Sequence, residues 1–94
     1  MDKNKITGYL NIAQKAGYII WGGDNLENYT KKLYLVLYDP IVGKSTQKIV
    51  DKIKEKGIMV LPVNELNILL NKSICKIIGV KNKGISEILI DLLK

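Results

Sequence analysis

The sequence predicts an α/β fold in which a single sheet lies between helices on both of its faces. The spacing of the apolar residues changes repeatedly between a helical period and short β-prone runs, in the order αβαβαβαβα. One of these runs, residues 33–38, is apolar throughout, which is typical of a strand covered on both faces. The chain has 94 residues, 47% of them hydrophobic, and shows no linker, repeat or low-complexity tract. We therefore expect one domain over residues 1–94.

The first part of the chain carries the signals of two helices and two strands. The apolar residues at helical spacing near its start are Ile6, Tyr9, Leu10, Ala13 and Ala16. They predict an amphipathic helix over residues 4–16, which ends at Gly17. Residues 18–21 form a short β-prone run, and Asp24 is a suitable N-cap for a short helix. The apolar strand at residues 33–38 follows.

A third helix and a third strand are predicted in the middle of the chain. The helix covers residues 44–56 and ends at Gly57. The residues expected on its inner face are Ile49, Val50 and Ile53. Residues 58–61 form the strand, which ends at Pro62 because proline has no amide hydrogen for a sheet.

The last part of the chain predicts a short helix, a strand and a final helix. Asn64 is placed to cap the short helix over residues 65–70, and residues 74–80 form the fourth strand. The final helix covers residues 84–93. The residues expected on one face of it are Ile85, Ile88, Leu89 and Leu92.

The residue types present exclude several kinds of catalytic and metal site. The chain has no His and one Cys, which excludes His-based acid–base catalysis, Cys–His nucleophiles and the usual zinc sites. We therefore expect no metal, no cofactor and no small-molecule substrate. A single Cys makes no internal disulfide. No apolar run approaches the ~20 residues of a membrane span, and residues 1–5 begin no export signal, so we expect a cytoplasmic protein without a membrane partner.

The charge of the chain favours a polyanionic partner. The net charge is +6, and all 15 basic residues are lysines. Because arginine is absent, bidentate reading of guanine by a guanidinium group is not available. Recognition of a nucleic acid would therefore depend on lysine point charges, backbone amides, Asn side chains and shape.

The sequence Gly43-Lys44-Ser45-Thr46 is the strongest signal for an enzyme. It follows a strand and opens a helix, as a phosphate-binding loop of a nucleotide hydrolase does. The full motif needs a further glycine several residues upstream, where this chain has the segment 38–42 with Pro40. We therefore interpret the segment as an ordinary helix start and expect no enzymatic activity.

The segment from Trp21 to Asn28 is the most informative stretch. Gly22 and Gly23 precede a short helix whose first amides are suited to anions, although a plain turn with a helix cap gives the same pattern. Trp21 is suited either to stack on a base or to cover the edge of the core. Cys75, within the fourth strand, is interpreted as an inert core residue.

Several segments, taken in order along nearly the whole chain, form a recognisable pattern. They are residues 10–17 (LNIAQKAG) with Gly22, the strand ending at Asp39, the helix at Ser45-Thr46, Glu65-Leu66, and residues 80–84 (VKNKG). In this order they resemble a ribosomal protein family that binds kink-turn RNA. The family includes the large-subunit proteins seven-Ae and thirty-e, and the bacterial YlxQ-like branch is the most similar. The resemblance implies a three-layer αβα sandwich with a mixed four-stranded sheet and a non-catalytic, ribonucleoprotein-type function.

The resemblance also implies which residues contact RNA. The family motif Gly-x-Asn-Glu-x-x-Lys falls on Gly22, Asp24, Asn25 and Asn28, so that only the glycine is kept. The implied RNA-binding residues are Gly22, Gly23, Asp24, Asn25, Asn28, Lys31, Lys32, Lys72, Ser73 and Ile74. The last three form a second contact loop, in which Asn67 and Asn71 replace two family glycines. Asn accepts a left-handed backbone more readily than most residues.

We therefore expect a bacterial RNA-binding protein whose partner is structured RNA, ribosomal RNA included. The alternative is a protein-interaction module that kept the fold and lost the RNA site. In that case Ile90 and Leu93 would add apolar surface to the final helix and mark a homodimer contact.

Overall fold

The computed structural model describes residues 3–41 and 43–94 and confirms the predicted order of elements. The elements are α1 (Lys3–Lys15), β1 (Ile19–Trp21), α2 (Gly23–Asn28), β2 (Leu35–Tyr38), α3 (Lys44–Glu55), β3 (Val60–Pro62), α4 (Leu66–Leu69), β4 (Ile77–Val80) and α5 (Lys83–Leu93). Two predictions fall partly outside the described residues. They concern the start of the chain, which includes Met1 and Asp2, and the loop after β2, which includes Val42.

The four strands form one mixed sheet in the order β1-β4-β2-β3. β4 is antiparallel to both of its neighbours, whereas β2 and β3 are parallel. Ile78 of β4 lies opposite Trp21, and Ile77 lies opposite Tyr38. The ends of β1, β2 and β3 therefore meet the start of β4 at one edge, which we call the Trp21 edge of the sheet.

Each face of the sheet carries its own core cluster, so the αβα sandwich is confirmed. The cluster under α1, α4 and α5 contains Ile6, Leu10, Ala13, Ile19, Leu35, Leu37, Val63, Leu66, Leu69, Leu70, Ile78, Val80 and Leu89. The cluster under α2 and α3 contains Leu26, Leu33, Val36, Val50, Ile53 and Ile77. Alternate residues of β2 point to opposite clusters, which explains why this strand is apolar throughout. In the described part of the chain, no helix is long and apolar enough to cross a membrane.

The strands are shorter than the apolar runs predict. β2 begins at Leu35 rather than at residue 33, and β4 begins at Ile77 rather than at residue 74. A strand lasts only as long as its neighbours pair with it, and β1 and β3 have three residues each. Pro62 is the last residue of β3 and lies opposite Tyr38, whereas the sequence predicts that it follows the strand. A proline is possible at this position because β3 is an edge strand of the sheet.

Two of the predicted helix caps are wrong. Gly22, not Asp24, is the N-cap of α2, and Asp24 lies within its first turn. The residue before α4 is Glu65 in a left-handed conformation, and no side chain caps that helix. Asn82 does cap α5, since its side-chain oxygen accepts a 2.9 Å hydrogen bond from the N–H of Ile85. Gly17 ends α1 with a φ of 74°, as predicted.

The inner face of α5 differs from the predicted one. Ser86 and Leu89 are its buried residues, whereas Ile88 is 38% exposed. Ile90 and Leu93 are half-buried and pack partly against the core cluster. The small Ser86 lets α5 lie close to its neighbours, and among the described atoms its hydroxyl has no hydrogen-bond partner.

Gly79 at the centre of the sheet determines where α2 lies. An ideal Cβ on Gly79 would be 2.5 Å from Cδ2 of Leu26 and 3.1 Å from Cδ2 of Leu33. Leu26 therefore fills the space that a side chain on β4 would occupy, and it is only 2% exposed. This contact holds α2 and the residues before it against the sheet.

We expect Gly79→Ala to lower the free energy of unfolding by about 1–3 kcal/mol, because the new methyl group overpacks the contact with Leu26. The measurement is chemical denaturation followed by circular dichroism. Gly8→Ala is the control for an added methyl group that meets nothing within 4 Å, and because alanine is favoured inside a helix this variant should be at least as stable as the unmodified chain. Equal stability of the two variants would show that α2 does not depend on Gly79.

Candidate functional site

An open groove of about 400 Å³ lies at the Trp21 edge of the sheet. The residues that line it are Trp21, Gly22, Gly23, Thr46, Ile74, Cys75, Lys76 and Ile77. They come from the β1–α2 junction, the first turns of α3 and the loop between α4 and β4. The groove thus joins both segments that the resemblance implies for RNA contact.

Strand pairing brings the two segments together. The N–H of Gly22 donates to the carbonyl of Ile77 over 3.2 Å, and Trp21 lies opposite Ile78 in the sheet. The N–H of Asp39 donates to the carbonyl of Lys76 over 2.8 Å and extends the ladder on the other side of β4. The residues just before β4 are therefore held between the ends of β1 and β2.

Three side chains give the groove an apolar and a cationic character. The Nζ of Lys72 lies 5.1 Å from the centroid of the Trp21 ring, within the range of a cation–π interaction. Ile74 is 80% exposed, although it is a large apolar residue. Ile74 and Trp21 line the same groove, so an exposed apolar side chain, an aromatic ring and an ammonium group are gathered there.

The loop between α4 and β4 is held by two asparagines. Asn71 has a φ of 55°, so the left-handed conformation predicted for it is confirmed. Asn67 lies inside α4 instead, and its Nδ2 donates to the carbonyls of Lys72 and Ser73 over 3.5 and 3.4 Å. The loop that presents Ile74 is therefore closed by a side chain as well as by the backbone. The left-handed conformation expected at Asn67 is therefore wrong, because this residue is helical. The sequence alone gives no sign of its hydrogen bonds to the loop.

Gly22 has a backbone conformation that other residues rarely adopt. Its φ is 84° and its ψ is 156°, a region used almost only by glycine. A Cβ on Gly22 would meet nothing within 4 Å, so the constraint comes from the backbone and not from packing. At Gly23 a Cβ would lie 2.6 Å from Cδ1 of Ile49, so the end of that side chain would have to move to admit a larger residue.

Two asparagines of α2 each donate a hydrogen bond to the backbone carbonyl four residues before them. Nδ2 of Asn25 donates to the carbonyl of Trp21 over 2.7 Å, and Nδ2 of Asn28 donates to the carbonyl of Asp24 over 3.0 Å. Both residues are exposed, and each side-chain oxygen can still accept a bond. Asp24 is also exposed and places a negative charge at the start of α2.

Lys31 and Lys32 do not lie at the groove. They follow α2 and precede β2, and Nζ of Lys32 lies 5.2 Å from the centroid of the Tyr34 ring. The N–H of Tyr34 donates to the carbonyl of Val80, at the end of β4 remote from the Trp21 edge. About 10 Å of strand separates Ile77 from Val80, the two ends of β4, so Lys32 is placed toward the end of the sheet opposite to the groove. Sequence spacing could not reveal this, since it does not give the direction of α2 across the sheet.

Lys76 is a groove residue that the sequence analysis missed. It is exposed and lines the groove together with Thr46 of α3. The pairing of β4 with β1 places it at the same edge as Gly22. The sequence shows that Lys76 immediately precedes a buried strand. Its place at the groove follows only when the neighbour of that strand is known.

Cys75 lies between Ile74 and Lys76 in the groove wall and packs partly against the core. Burial raises the pKa of its thiol, while the backbone of Ile77 and the charge of Lys72 partly offset this effect. A raised pKa favours the protonated thiol, so Cys75 is a poor nucleophile at neutral pH. The low reactivity agrees with the prediction of an inert residue, but Cys75 precedes β4 and is half-buried, so its placement in the strand and in the core is wrong.

The fold is similar to that of a solved structure, a protein with unknown function from Bacillus halodurans C, with a TM-score of 0.79. The two chains are 27% identical, and the similarity covers 95% of this chain and 96% of that one. No protein-family model matches the sequence, and no curated protein matches it significantly. The comparison therefore supports the sandwich fold, and it assigns no function to the groove.

We expect Gly22→Ala to cost about 1–3 kcal/mol of stability, because alanine is strained at this φ and ψ. Denaturant unfolding measures it. Gly43→Ala is the matched control, since Gly43 is also exposed, has a φ of −72° and has open space at its Cβ. If both substitutions had the same small effect, the backbone at Gly22 would not be constrained.

Proposed function

We propose that the protein binds structured RNA at the groove beside Trp21 and catalyses no reaction on it. The observation that carries the proposal is the exposed Ile74 beside the Trp21 ring and the Lys72 ammonium group. An unpaired base has two apolar faces and is joined to charged phosphates, so it matches this combination of groups. We place this activity in the cytoplasm.

The preferred RNA in this proposal is sharply bent and exposes unpaired bases, as a kink-turn does. A regular RNA duplex keeps its bases stacked inside, where Ile74 could not reach them. Gly22 carries no side chain and has open space where a Cβ would be, which leaves room for a close approach of the RNA backbone. Sequence specificity should be low, since the chain has no arginine.

Lysines at two places provide the electrostatic part of the proposal. Lys72 and Lys76 lie at the groove, where they would meet the phosphates on either side of an unpaired base. Lys31 and Lys32 lie beyond the other end of α2, so they would contact a phosphate further along the same RNA. Asp24 opposes phosphate at the start of α2, which favours contact through its neighbours and not through this side chain.

A protein-interaction module is the second candidate function, and one observation favours it. Each of the three helices on one face of the sheet exposes an isoleucine, namely Ile12, Ile68 and Ile88. That face lies opposite α2 and is separate from the groove, so the two functions do not exclude each other.

The RNA proposal predicts that Ile74→Ala weakens binding of a kink-turn RNA roughly tenfold, since about 1.5–3 kcal/mol accompanies full burial of such a side chain. Trp21 is the only tryptophan, so its fluorescence reports binding at the groove itself. Ile12→Ala is the matched control, because Ile12 is also exposed but lies on α1. An unbent duplex should bind more weakly and should not distinguish Ile74→Ala from the unmodified chain. Unchanged fluorescence on addition of either RNA would contradict the proposal.

Lys72→Ala should reduce the slope of log K against log salt concentration by about 0.7–0.9, because one phosphate contact is lost. It should act alike on bent and straight RNA, since a phosphate contact carries no sequence information. Lys48→Ala is the control, because Lys48 lies on the exposed side of α3. Equal losses in the two variants would leave only nonspecific attraction by lysines.

Calorimetry with ATP or GTP and magnesium should show no saturable heat. The segment Gly43-Lys44-Ser45 opens α3 with an extended Gly43, and no side chain caps that helix. Micromolar nucleotide binding that disappears in Lys44→Ala would overturn the non-enzymatic interpretation.

A further inference from the structure

The two faces of the sandwich differ in how they expose apolar side chains. Ile12 of α1 is 54% exposed, Ile68 of α4 is 63% exposed and Ile88 of α5 is 38% exposed. Among the described residues of α2 and α3, on the opposite face, no large apolar side chain is exposed to that extent. Exposed apolar residues gathered on one face are typical of a surface that another molecule covers.

Gly8 makes a notch in the outer surface of α1. A depression of about 260 Å³ there is lined by Lys5, Gly8, Tyr9 and Ile12. A Cβ on Gly8 would meet nothing within 4 Å, so no packing inside the monomer requires glycine. Glycine inside a helix is destabilising relative to alanine. The notch is explained if a side chain of a second molecule enters it.

The outer surface of α5 has a glycine and an isoleucine at the same spacing, and its exposed charges are Lys83 and two carboxylates. Gly84 and Ile88 are both exposed and one helical turn apart, as Gly8 and Ile12 are in α1. Glu87 and Asp91 lie on the same exposed side of α5. The outer surface of α1 is basic instead, since residues 3–15 contain three lysines and no carboxylate.

We propose that two copies of this chain associate through this face, with α1 of each copy packed on α5 of the other. Such an arrangement is self-complementary and closes around a two-fold axis. Packing α1 on α1 would place lysines against lysines, whereas packing α1 on α5 places basic residues against Glu87 and Asp91. The charge pattern therefore selects a second copy and also selects the helices that meet.

The direction of the helices sets the register of the contact. Each of α1 and α5 joins its strand through a short turn, and β1 and β4 are antiparallel, so α1 and α5 run in opposite directions. In antiparallel packing, Ile12 packs over Gly84 of the second copy while Ile88 of that copy enters the notch at Gly8. Both contacts form at once because each glycine is four residues from its isoleucine.

The same register places Asp91 of one copy near the basic start of α1 in the other. It also brings Lys83 of one copy near Lys15 of the other, and this pair is repulsive. The repulsion weakens the association, so we expect a dimer that dissociates on dilution. The groove beside Trp21 lies outside this interface and stays accessible in the dimer.

Sedimentation equilibrium of the full chain over a range of concentrations tests the proposal. The mass should rise from 10.6 kDa toward twice that value as the concentration increases. Ile12→Glu and Gly8→Gln should each raise the dissociation constant at least roughly tenfold, since they place a charge or a long side chain in the contact. Both positions are exposed, and circular dichroism checks that the variants keep their fold. Ile41→Glu is the matched control, because Ile41 is 88% exposed and lies on a loop away from α1 and α5.

Two charge variants separate the proposed pairing from other modes of association. Asp91→Lys should weaken the dimer and Lys83→Glu should strengthen it, each by roughly 2- to 30-fold, because the symmetric dimer contains every pair twice. A mass of 10.6 kDa at every concentration would overturn the proposal. A dimer that Ile41→Glu disrupts as strongly as Ile12→Glu, or that is insensitive to Lys83→Glu, would overturn the pairing of α1 with α5. Loss of RNA binding leaves these results unchanged, so this proposal and the RNA proposal fail separately.

Discussion

The close packing of Leu26 on Gly79 is the contact on which the candidate site depends. α2 has only six residues, far fewer than an isolated helix needs in water, so tertiary packing must hold it in place. Leu26 is its buried residue, and it reaches the sheet where β4 lacks a side chain. The position of α2 in turn fixes Gly22 and Gly23, which border the groove. A substitution at Gly79, in the middle of β4, would therefore alter the position of Gly22 and Gly23 at the groove.

Strand pairing brings the remaining residues of the groove together. β4 lies between β1 and β2 and is antiparallel to both, so the residues before it are flanked by the residues that follow its two neighbours. The loop that carries Lys72 and Ile74 is about 50 residues from Trp21 in the sequence, yet the two are adjacent at one edge of the sheet. The groove is thus a property of the topology, and no single stretch of the chain contains it.

The order of elements and most of their bounds follow from the spacing of apolar residues and from glycines such as Gly17. The left-handed Asn71 was also predictable, because Asn is among the few side chains that accept this conformation. The cap of α2 was not, since Asp24 suits that position chemically while the backbone turn at Gly22 decides it. Lys31 and Lys32 were assigned to the same site as Lys72 because sequence distance does not show which end of the sheet a residue reaches. Lys76 was missed for the same reason.

The short outer strands also affect the tendency of the protein to aggregate at high concentration. An exposed strand edge is a template on which further chains can polymerise into fibres. Here the two outer strands, β1 and β3, have three residues each, and β3 ends in Pro62, which has no amide hydrogen to offer. Neither edge is long enough to support continuous strand addition. The sheet is therefore protected from amyloid-like growth, even though its central strands are rich in the β-branched and aliphatic residues that such fibres use.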